Sequence, residues 1–362
     1  MILVALTLAG IGMVMVASSS VAMAERQTGD SLYFFWRQLA HAALGLALAV
    51  LVARIPTIVW RRTGPVLLLI GMVALALVLV PGVGHEVNGS TRWLRFGPIG
   101  AQPSEGMKLA LAMYMAGYLV RKNQEVRESL SGFLKPIGVL VIISALLLFE
   151  PDYGTTAVLF AMALGMLFMA GVPLVSFGAW AALVAVAMSL IVVAAPYRVE
   201  RLMSFLNPWA DPYDTGFQLT QALIAIGRGE IFGVGLGHGV QKLFYLPEAH
   251  TDFLFAVMAE ELGFVAVAMV IALYAILAWR SLSIARMAQA NGHFYGAYLA
   301  SGLGLLITLQ ALVNIGVNLG ALPTKGISLP LMSYGGTSLV ANCIAIGLLV
   351  RVAYEARRRA DD

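Results

Sequence analysis

The stretch that decides the fold is LPEAHTDFLFAVMAEELGFVAVAMVIALYA, residues 246–275. It opens with polar residues, among them Glu248 and Asp252, and continues as an apolar run long enough to cross a lipid bilayer. Two more carboxylates, Glu260 and Glu261, stand inside that run. Carboxylates at membrane depth are costly and usually functional. The stretch therefore predicts a spanning helix with a charged, working outer end.

The composition of the whole chain is that of a polytopic membrane protein. Of its 362 residues, 60% are hydrophobic and 12% are charged, and the mean hydropathy is +0.86. A soluble domain carries about 25% charged residues. The single cysteine, Cys343, excludes an internal disulfide and suggests no cysteine-based metal site. No basic patch indicates nucleic-acid binding.

Ten apolar segments have the length that a bilayer requires. Because backbone polar groups in lipid must be satisfied within the segment, we expect helices. The predicted fold is an all-α integral membrane domain covering residues 1–362, with both termini cytoplasmic. The predicted helices span 2–23, 33–53, 64–81, 105–121, 134–150, 153–171, 175–195, 252–279, 293–317 and 333–353.

The first segment ends in a sequence, 22–24, that resembles a signal-peptidase site. No lysine or arginine precedes the apolar run, and the run is long for a signal peptide, so we expect a retained helix. We also expect a short cytoplasmic tail before Met1. With the N-terminus inside, 13 of the 23 basic residues and only five of the 19 acidic residues face the cytoplasm.

The predicted outer loops, 82–104, 196–251 and 318–332, are rich in glycine, proline and mixed charge. Long loops of this kind are often functional, so we place the working site on the outer face. Segment 217–227 is expected to form a short helix at the membrane surface. The glycine-rich run 227–239 predicts a flexible outer loop, although exposed backbone N–H groups there could also contact a phosphate.

The outer end of the predicted fourth helix carries Glu105 and Lys108, which share a helix face. One interpretation is a glutamate favoured by the helix dipole behind an N-cap at Ser104, with Lys108 reaching towards water. The alternative is that Lys108 points into the bundle towards an acid. The candidate acid is Asp152, in the tight turn between the fifth and sixth helices on the same outer side.

Asp252 also has two interpretations. It is ordinary helix-start chemistry after a threonine N-cap, or it belongs to a site at the mouth of the long loop. Glu260 and Glu261 point to faces about 100° apart on a helix. At least one of them must therefore enter the bundle, where pairing with an arginine or lysine is the structural alternative to a functional role.

Several long motifs together resemble one family. They are VNGSTRWLRFG with QPSE..K, EPDYGT, PYRVERLMSFLNPWADPYDTGFQLTQALIAIGRGE, LPEAHTDFLFAV.AEELG and LPTKGISLPLMSYGGTS. In order, and along nearly the whole chain, they are similar to the SEDS proteins of shape, elongation, division and sporulation. LPTKG at 322–326 and NPWADP at 207–212 resemble the division branch more than the elongation branch.

The resemblance implies a ten-helix SEDS fold with a large periplasmic loop between helices seven and eight. It implies a peptidoglycan glycosyltransferase that polymerises lipid II into glycan strands at the division septum, in the bacterial inner membrane and facing the periplasm. A flippase or transporter for lipid II is the main alternative. An inactive scaffold of the division machinery is a third.

The resemblance also implies roles for individual residues. Asp252 matches the catalytic carboxylate and would act as general base on the acceptor hydroxyl. Lys108 and Asp152 match residues implicated in the family's central cavity. Residues in matching motifs with less defined substrate-binding roles are Arg92, Trp93, Glu105, Glu248 and Lys325.

Cofactor and partners likewise follow from the resemblance. It suggests a divalent cation, Mg²⁺ or Mn²⁺, without identifying its site, and no organic cofactor. The implied partners are a class B penicillin-binding protein of the FtsI type, which supplies the transpeptidase, the FtsQ–FtsL–FtsB regulators and other division proteins. Helix-start placement would lower the pKa of Asp252, whereas neighbouring acids or burial would raise it. The sequence leaves that balance open.

Overall fold

The computed structural model describes residues 1–87, 90–96, 99–173, isolated positions between 177 and 193, 205–214, 216–323 and 326–361. Helices dominate these residues. They are α1 Ile2–Thr28, α2 Tyr33–Arg54, α3 Thr57–Val78, α4 Pro103–Arg121, α5 Asn123–Glu128, α6 Leu130–Phe149, α7 Tyr153–Met169, α8 Phe217–Gly229, α9 Leu254–Ala290, α10 Phe294–Asn318 and α11 Gly336–Asp361.

Seven of the described helices are long and apolar enough to cross a membrane: α1, α2, α3, α6, α9, α10 and α11. Helix α7 is apolar but has 17 residues. Helix α4 is buried on nearly all sides, including every residue from Met107 to Met113, which is typical of a core helix. The predicted seventh span, 175–195, lies largely outside the described residues, as do residues 196–204 of the long outer loop.

Three of the observed helices extend beyond the spans predicted from their apolar runs. Helix α3 begins at Thr57 rather than 64, α9 ends at Ala290 rather than 279, and α11 ends at Asp361 rather than 353. In each case the added turns carry arginines and polar residues. Helical hydrogen bonds pair the backbone N–H and C=O groups of these turns whether or not lipid surrounds them. The helices therefore continue past the apolar run.

The predicted loop 82–104 contains a small antiparallel sheet, which the all-helical prediction missed. Strands β1 Gly84–Val87, β2 Ser90–Phe96 and β3 Ile99–Ala101 pair in the order β1-β2-β3. Bulky and β-branched residues in Ser90–Phe96 favour a strand. The sheet leads directly into the start of α4, where the Gln102 N–H donates to Thr337 Oγ1 at 3.3 Å.

The predicted outer loop 318–332 folds into the bundle instead of covering its surface. Ile327, Leu329, Leu331 and Met332 are buried. Deep in α9, the Tyr274 hydroxyl donates to the Pro330 carbonyl oxygen. Burial of these apolar side chains favours the insertion of this irregular segment. Its backbone polar groups must then find hydrogen-bond partners inside the bundle.

Candidate functional site

Asp252 lies in a turn just before α9 and outside the helix, whose N-cap is Phe253. The expectation of Asp252 in a first helical turn is therefore wrong. Two asparagines of α10 hold this turn: Asn314 Nδ2 and Asn318 Nδ2 donate to the Asp252 carbonyl oxygen at 2.9 and 3.0 Å. The backbone of the turn is thus fixed from a separate helix.

The same asparagines connect the turn to its surroundings. Asn314 Nδ2 also donates to the Ile327 carbonyl oxygen at 2.6 Å, and the Ala256 N–H donates to Asn318 Oδ1 at 3.1 Å. Both asparagine side chains are buried. They therefore join α10, the start of α9 and the inserted segment 326–332 around one carboxylate.

The Asp252 carboxyl has a pKa raised from 3.8 to about 7. Burial is the largest cause, Glu248 raises the pKa further, Arg92 opposes it and Asp152 adds a smaller increase. The residue as a whole is nevertheless not fully buried. Because each of these three charges shifts the pKa of Asp252, Arg92, Asp152 and Glu248 lie close enough to act on it electrostatically. The structure therefore brings together four of the predicted site residues.

Arg92, on β2, reaches the turn that joins α6 to α7. Its Nε donates to the Glu150 carbonyl oxygen at 3.0 Å and its Nη2 to the Pro151 carbonyl oxygen at 2.6 Å. The next residue, Asp152, is the N-cap of α7 and accepts from the Thr155 N–H at 3.2 Å. The small sheet, through Arg92, therefore sets the position of the predicted Asp152 carboxylate.

Glu150 is a third carboxyl of this turn, and the sequence did not single it out. It is fully buried, and neither carboxylate oxygen has a hydrogen-bond partner in the described part of the chain. Burial raises its pKa to about 8, Asp152 adds to the increase and Arg92 opposes it. Glu150 is thus predominantly uncharged at neutral pH.

Glu248 adopts a left-handed backbone conformation, with φ 55°. Its carboxylate accepts from Thr251 Oγ1 at 2.7 Å, and its carbonyl oxygen accepts from the Phe253 N–H at 3.2 Å. Uncommon backbone conformations at non-glycine residues cost energy and often mark functional turns. The hydrogen bonds within residues 248–253 offset the energetic cost of this backbone conformation.

His250 has a structural environment. Its buried ring packs between Phe34 and Tyr334, with ring centroids 4.8 and 5.3 Å away, and its carbonyl oxygen accepts from the Tyr334 N–H at 2.9 Å. Burial lowers the pKa of His250 and Glu248 opposes that effect. His250 is therefore neutral at pH 7 and supports the turn as an aromatic side chain.

Gly326 packs directly against the Asp252 carboxylate. A Cβ atom at this position would lie 3.1 Å from Asp252 Oδ2, closer than ordinary van der Waals contact. The backbone of the inserted segment therefore forms one wall of the site. The neighbouring predicted residue, Lys325, lies outside the described residues.

Lys108 pairs with Glu105, not with Asp152. The Lys108 Nζ–Glu105 Oε2 distance is 2.7 Å, and both side chains are buried. All three residues are described, and no ion pair joins Lys108 to Asp152. The predicted N-cap at Ser104 is also wrong, because α4 begins at Pro103 behind Gln102. The pair is a buried ionic unit in the core helix, separate from the hydrogen bonds around Asp252.

Trp93, the other predicted residue of the small sheet, is half-buried on β2. Its ring lies against β3, 3.5 Å from the position that a Cβ of Gly100 would occupy. Arg92 and Trp93 are neighbours in a strand and project to opposite faces. The strand thus directs the guanidinium to the 150–152 turn and the indole across the sheet.

Glu260 and Glu261 both enter the protein and are both paired, which confirms the structural alternative. Glu260 accepts from Arg228 Nη1 at 3.2 Å, and Glu261 forms an ion pair with Lys242 Nζ at 2.6 Å. Ser18 Oγ of α1 also donates to Glu261 at 2.6 Å. The two carboxylates are fully buried and serve to anchor α1 and the preceding loop.

The glycine-rich run wraps around these two carboxylates. The N–H groups of Val240 and Gln241 donate to Glu260, at 3.0 and 3.1 Å, and the Gly237 N–H donates to Glu261 at 3.1 Å. These N–H donors are therefore occupied by the protein's own acids and are not free to bind a phosphate.

Helix α9 kinks at Gly263, just after the buried Glu260 and Glu261. Gly263 has φ 75° and ψ −174°, a conformation that glycine alone adopts readily.

Two positioning residues, Asn314 and Asn318, were missed by the sequence reasoning. The available signal was a pair of amide side chains one turn apart in an apolar spanning segment. Such side chains share a helix face and need partners in the bundle. Across the described residues, no group of three or more His, Cys, Asp or Glu side chains is arranged to hold a metal ion.

Relatives from several bacteria align along almost the entire chain. One, named probable peptidoglycan glycosyltransferase FtsW, from Nitrosococcus halophilus, is 54% identical over 353 residues, which are 98% of this chain and 91% of the relative. A protein of the same name from Thioalkalivibrio sulfidiphilus is 53% identical over 350 residues, covering 97% and 88% of the two chains.

Solved structures share the fold. A chain of a peptidoglycan synthase complex that coordinates polymerization and crosslinking has a TM-score of 0.78 and 29% identity, with 98% of each chain covered. The crystal structure of the rod shape determining protein RodA from Thermus thermophilus has a TM-score of 0.71 and 28% identity, covering 98% and 95%. Residues 1–358 match the cell cycle protein family FtsW/RodA/SpoVE. The chain is therefore a member of that family, the SEDS proteins.

Proposed function

We propose that this protein is a peptidoglycan glycosyltransferase that polymerises lipid II during septal cell-wall synthesis. The observation that carries the proposal is the carboxyl of Asp252, a residue that is held in a fixed turn and not fully buried, with a pKa raised to about 7. A general base works best when its pKa is near the operating pH. Relatives at about half identity are named as enzymes of this activity.

In the proposed reaction, Asp252 takes the proton of the 4-hydroxyl of the acceptor's terminal GlcNAc. The hydroxyl oxygen forms a bond to the anomeric carbon of the donor MurNAc, with inversion. The bond from that carbon to undecaprenyl pyrophosphate breaks, and the leaving group takes the electron pair. Positioned acid–base catalysis contributes about 10²–10⁴-fold, so electrostatic stabilisation of the leaving pyrophosphate supplies most of the rest.

Arg92 is the described cation best placed to provide that stabilisation. It lies within electrostatic range of Asp252, although two of its N–H groups hold the 150–152 turn. Lys108 is neutralised by Glu105. Lys325 stays a proposed contributor, on the strength of its motif. The requirement for Mg²⁺ or Mn²⁺ also stays a proposal, testable by chelation and metal replacement, and no step above depends on it.

The proposal extends to topology and partners. We propose ten spans, cytoplasmic termini and a site that faces the periplasm at the septum, supported by the basic bias of the opposite side. We also propose a class B penicillin-binding protein as partner, supported by the likeness to a chain of a synthase complex. The FtsQ–FtsL–FtsB regulators are proposed on family membership alone.

The test is polymerisation of labelled lipid II by purified protein in detergent with its transpeptidase partner. Wild type should make glycan strands, and Asp252→Asn should lose about 10²-fold or more of that activity. Asp214→Asn, at an exposed position, is the matched control. Because a detergent solution has no two sides, a flippase would make no product. Near-normal polymerisation by folded Asp252→Asn would refute the base role.

A further inference from the structure

A small cavity lined by polar and charged residues lies at the opposite end of the bundle from Asp252. Its volume is about 150 Å³, and it lies between the starts of α3 and α10 and the ends of α4 and α11. Helix α4 begins beside the small sheet and ends in this cavity wall. Its 19 residues separate the two regions by about 28 Å along its axis, so the cavity is not part of the Asp252 site.

The charged side chains of the cavity wall are cationic. Arg61, near the start of α3, is half-buried, and Arg359, near the end of α11, is exposed. All the lining residues are described, and none of them is acidic. Burial lowers the pKa of His293 in the same wall, and Arg359 lowers it further. His293 is therefore neutral at pH 7, and the two guanidinium groups set the charge.

The nearest carboxylate, Glu355, is already engaged. The Thr57 N–H donates to it at 2.9 Å, Arg351 Nε at 2.7 Å, and the Thr57 hydroxyl also donates to it. Its third neighbour, His293 Nε2, lies 3.5 Å from the same carboxylate. Glu355 is thus paired with Arg351 at the edge of the wall, and none of the described lining residues supplies an acid to Arg61 or Arg359.

Besides the arginines, the lining residues include Tyr295 and other residues of the first turn of α10, which are sources of hydrogen-bond donors. Tyr295 is 4% exposed, and its hydroxyl has no hydrogen-bond partner in the described part of the chain. Tyr295 also stands in the first turn of α10, a helix of 25 residues whose N-cap makes no side-chain hydrogen bond. The first N–H groups of a helix attract anions. A buried hydroxyl without a partner is costly, which points to a ligand that accepts its proton.

We propose that this cavity binds a phosphate group, either the headgroup phosphate of an anionic phospholipid or a free phosphate. Paired arginines, a tyrosine hydroxyl and helix N–H groups are the donors that phosphate oxygens accept from. A volume of about 150 Å³ holds one such group but is smaller than the roughly 300 Å³ and above of whole-ligand sites. Exposed Ile58 and Phe294 at the rim offer an apolar surface to an acyl chain.

The test measures phosphate binding to the full-length chain in two arms. In one, protein in detergent is titrated with inorganic phosphate and its thermal unfolding is followed. In the other, protein in nanodiscs of phosphatidylglycerol or phosphatidylcholine is extracted, and retained lipid is counted by native mass spectrometry. Wild type should retain phosphatidylglycerol in preference to phosphatidylcholine or be stabilised by phosphate, and the arm that responds identifies the source.

The variants separate a built site from surface charge. Arg61→Gln with Arg359→Gln should weaken the response about tenfold or more, and Tyr295→Phe, which keeps the packing, by several-fold. The controls are Arg62→Gln with Arg358→Gln, which remove equal charge from neighbouring exposed positions outside the wall. Equal losses in variants and controls, or no wild-type response in either arm, would overturn the proposal.

Discussion

The pH dependence of polymerisation tests the electrostatics of Asp252 most directly. A base must be ionised to accept a proton, so activity should rise as the pH rises through the pKa of Asp252, about 7. Below that value, activity falls about tenfold per pH unit, and at pH 5 about 1% of the enzyme is ionised. An aspartate with the ordinary pKa of 3.8 would be more than about 90% ionised at pH 5.

Neighbouring charges should move the midpoint in opposite directions. Glu248→Gln removes a charge that raises the pKa of Asp252, so the midpoint should shift to lower pH by up to about one pH unit. Arg92→Gln removes a charge that lowers it, so the midpoint should shift to higher pH. Asp214→Asn, at an exposed position that is not among the charges shifting the pKa of Asp252, should leave the midpoint in place. The assay is the initial rate of lipid II polymerisation between pH 5 and 9.

Stability gives a second readout of the same carboxyl. The pKa of Asp252 is raised in the folded state, so its stabilising contribution is complete below pH 3.8 and lost as the pH rises through about 7. Asp252→Asn, which has no charge to bury, should therefore raise the unfolding temperature at pH 8 but not at pH 4. A midpoint near 4 for activity, or shifts of the same sign in Glu248→Gln and Arg92→Gln, would refute the reasoning.

Three further substitutions test the supporting structure. Gly326→Ala brings a Cβ to 3.1 Å from the Asp252 carboxylate and should lower polymerisation about 10-fold or more without unfolding the protein. Asn314→Leu leaves the Ile327 carbonyl oxygen without this donor and the Asp252 carbonyl oxygen with only the Asn318 donor, and should cost about 1–3 kcal/mol of unfolding free energy as well as activity. Glu261→Gln breaks a buried ion pair and should cost about 3–5 kcal/mol, whereas adding Lys242→Met should recover part of that loss.

Each of these has a control. Gly138→Ala, where a Cβ would meet nothing within 4 Å, should leave activity unchanged. Asn342→Leu removes hydrogen bonds only to Ser338, one turn away, and should affect unfolding less than Asn314→Leu. A Glu261→Gln/Lys242→Met double variant no more stable than Glu261→Gln alone would count against the ion-pair argument, and full activity in Gly326→Ala would show that the contact is not limiting.

The sequence predicted most of the fold because lipid restricts the choices. Spanning segments must be apolar and helical, and the positions of α1, α2, α6, α7 and α10 follow closely from the apolar runs. The sheet in the loop 82–104 was missed because short strands leave a weak pattern. The insertion of 326–332 was missed because a short apolar segment does not reveal what it packs against.

Among the site residues, the sequence identified the carboxylates but not which of them form ion pairs and which has a raised pKa. Local sequence places Asp252, Glu260 and Glu261 within ten residues of one another, with similar costs of burial. Their environments differ in the folded protein: Arg228 and Lys242 pair with the two glutamates, whereas burial, with a further contribution from Glu248, raises the pKa of Asp252. Electrostatic energy depends on distance in space, which a linear pattern does not contain.

By itself, the sequence determined that this is a helical membrane protein and predicted that its chemistry lies at one end, because hydropathy and charge act residue by residue. The tertiary structure alone decided which acid is anchored and which is poised to titrate near neutral pH. That decision rests on burial by α10 and the inserted segment and on charges brought from β2 and the α6–α7 turn. The pKa of a carboxyl reflects everything packed around it, and those surroundings exist only once the chain has folded.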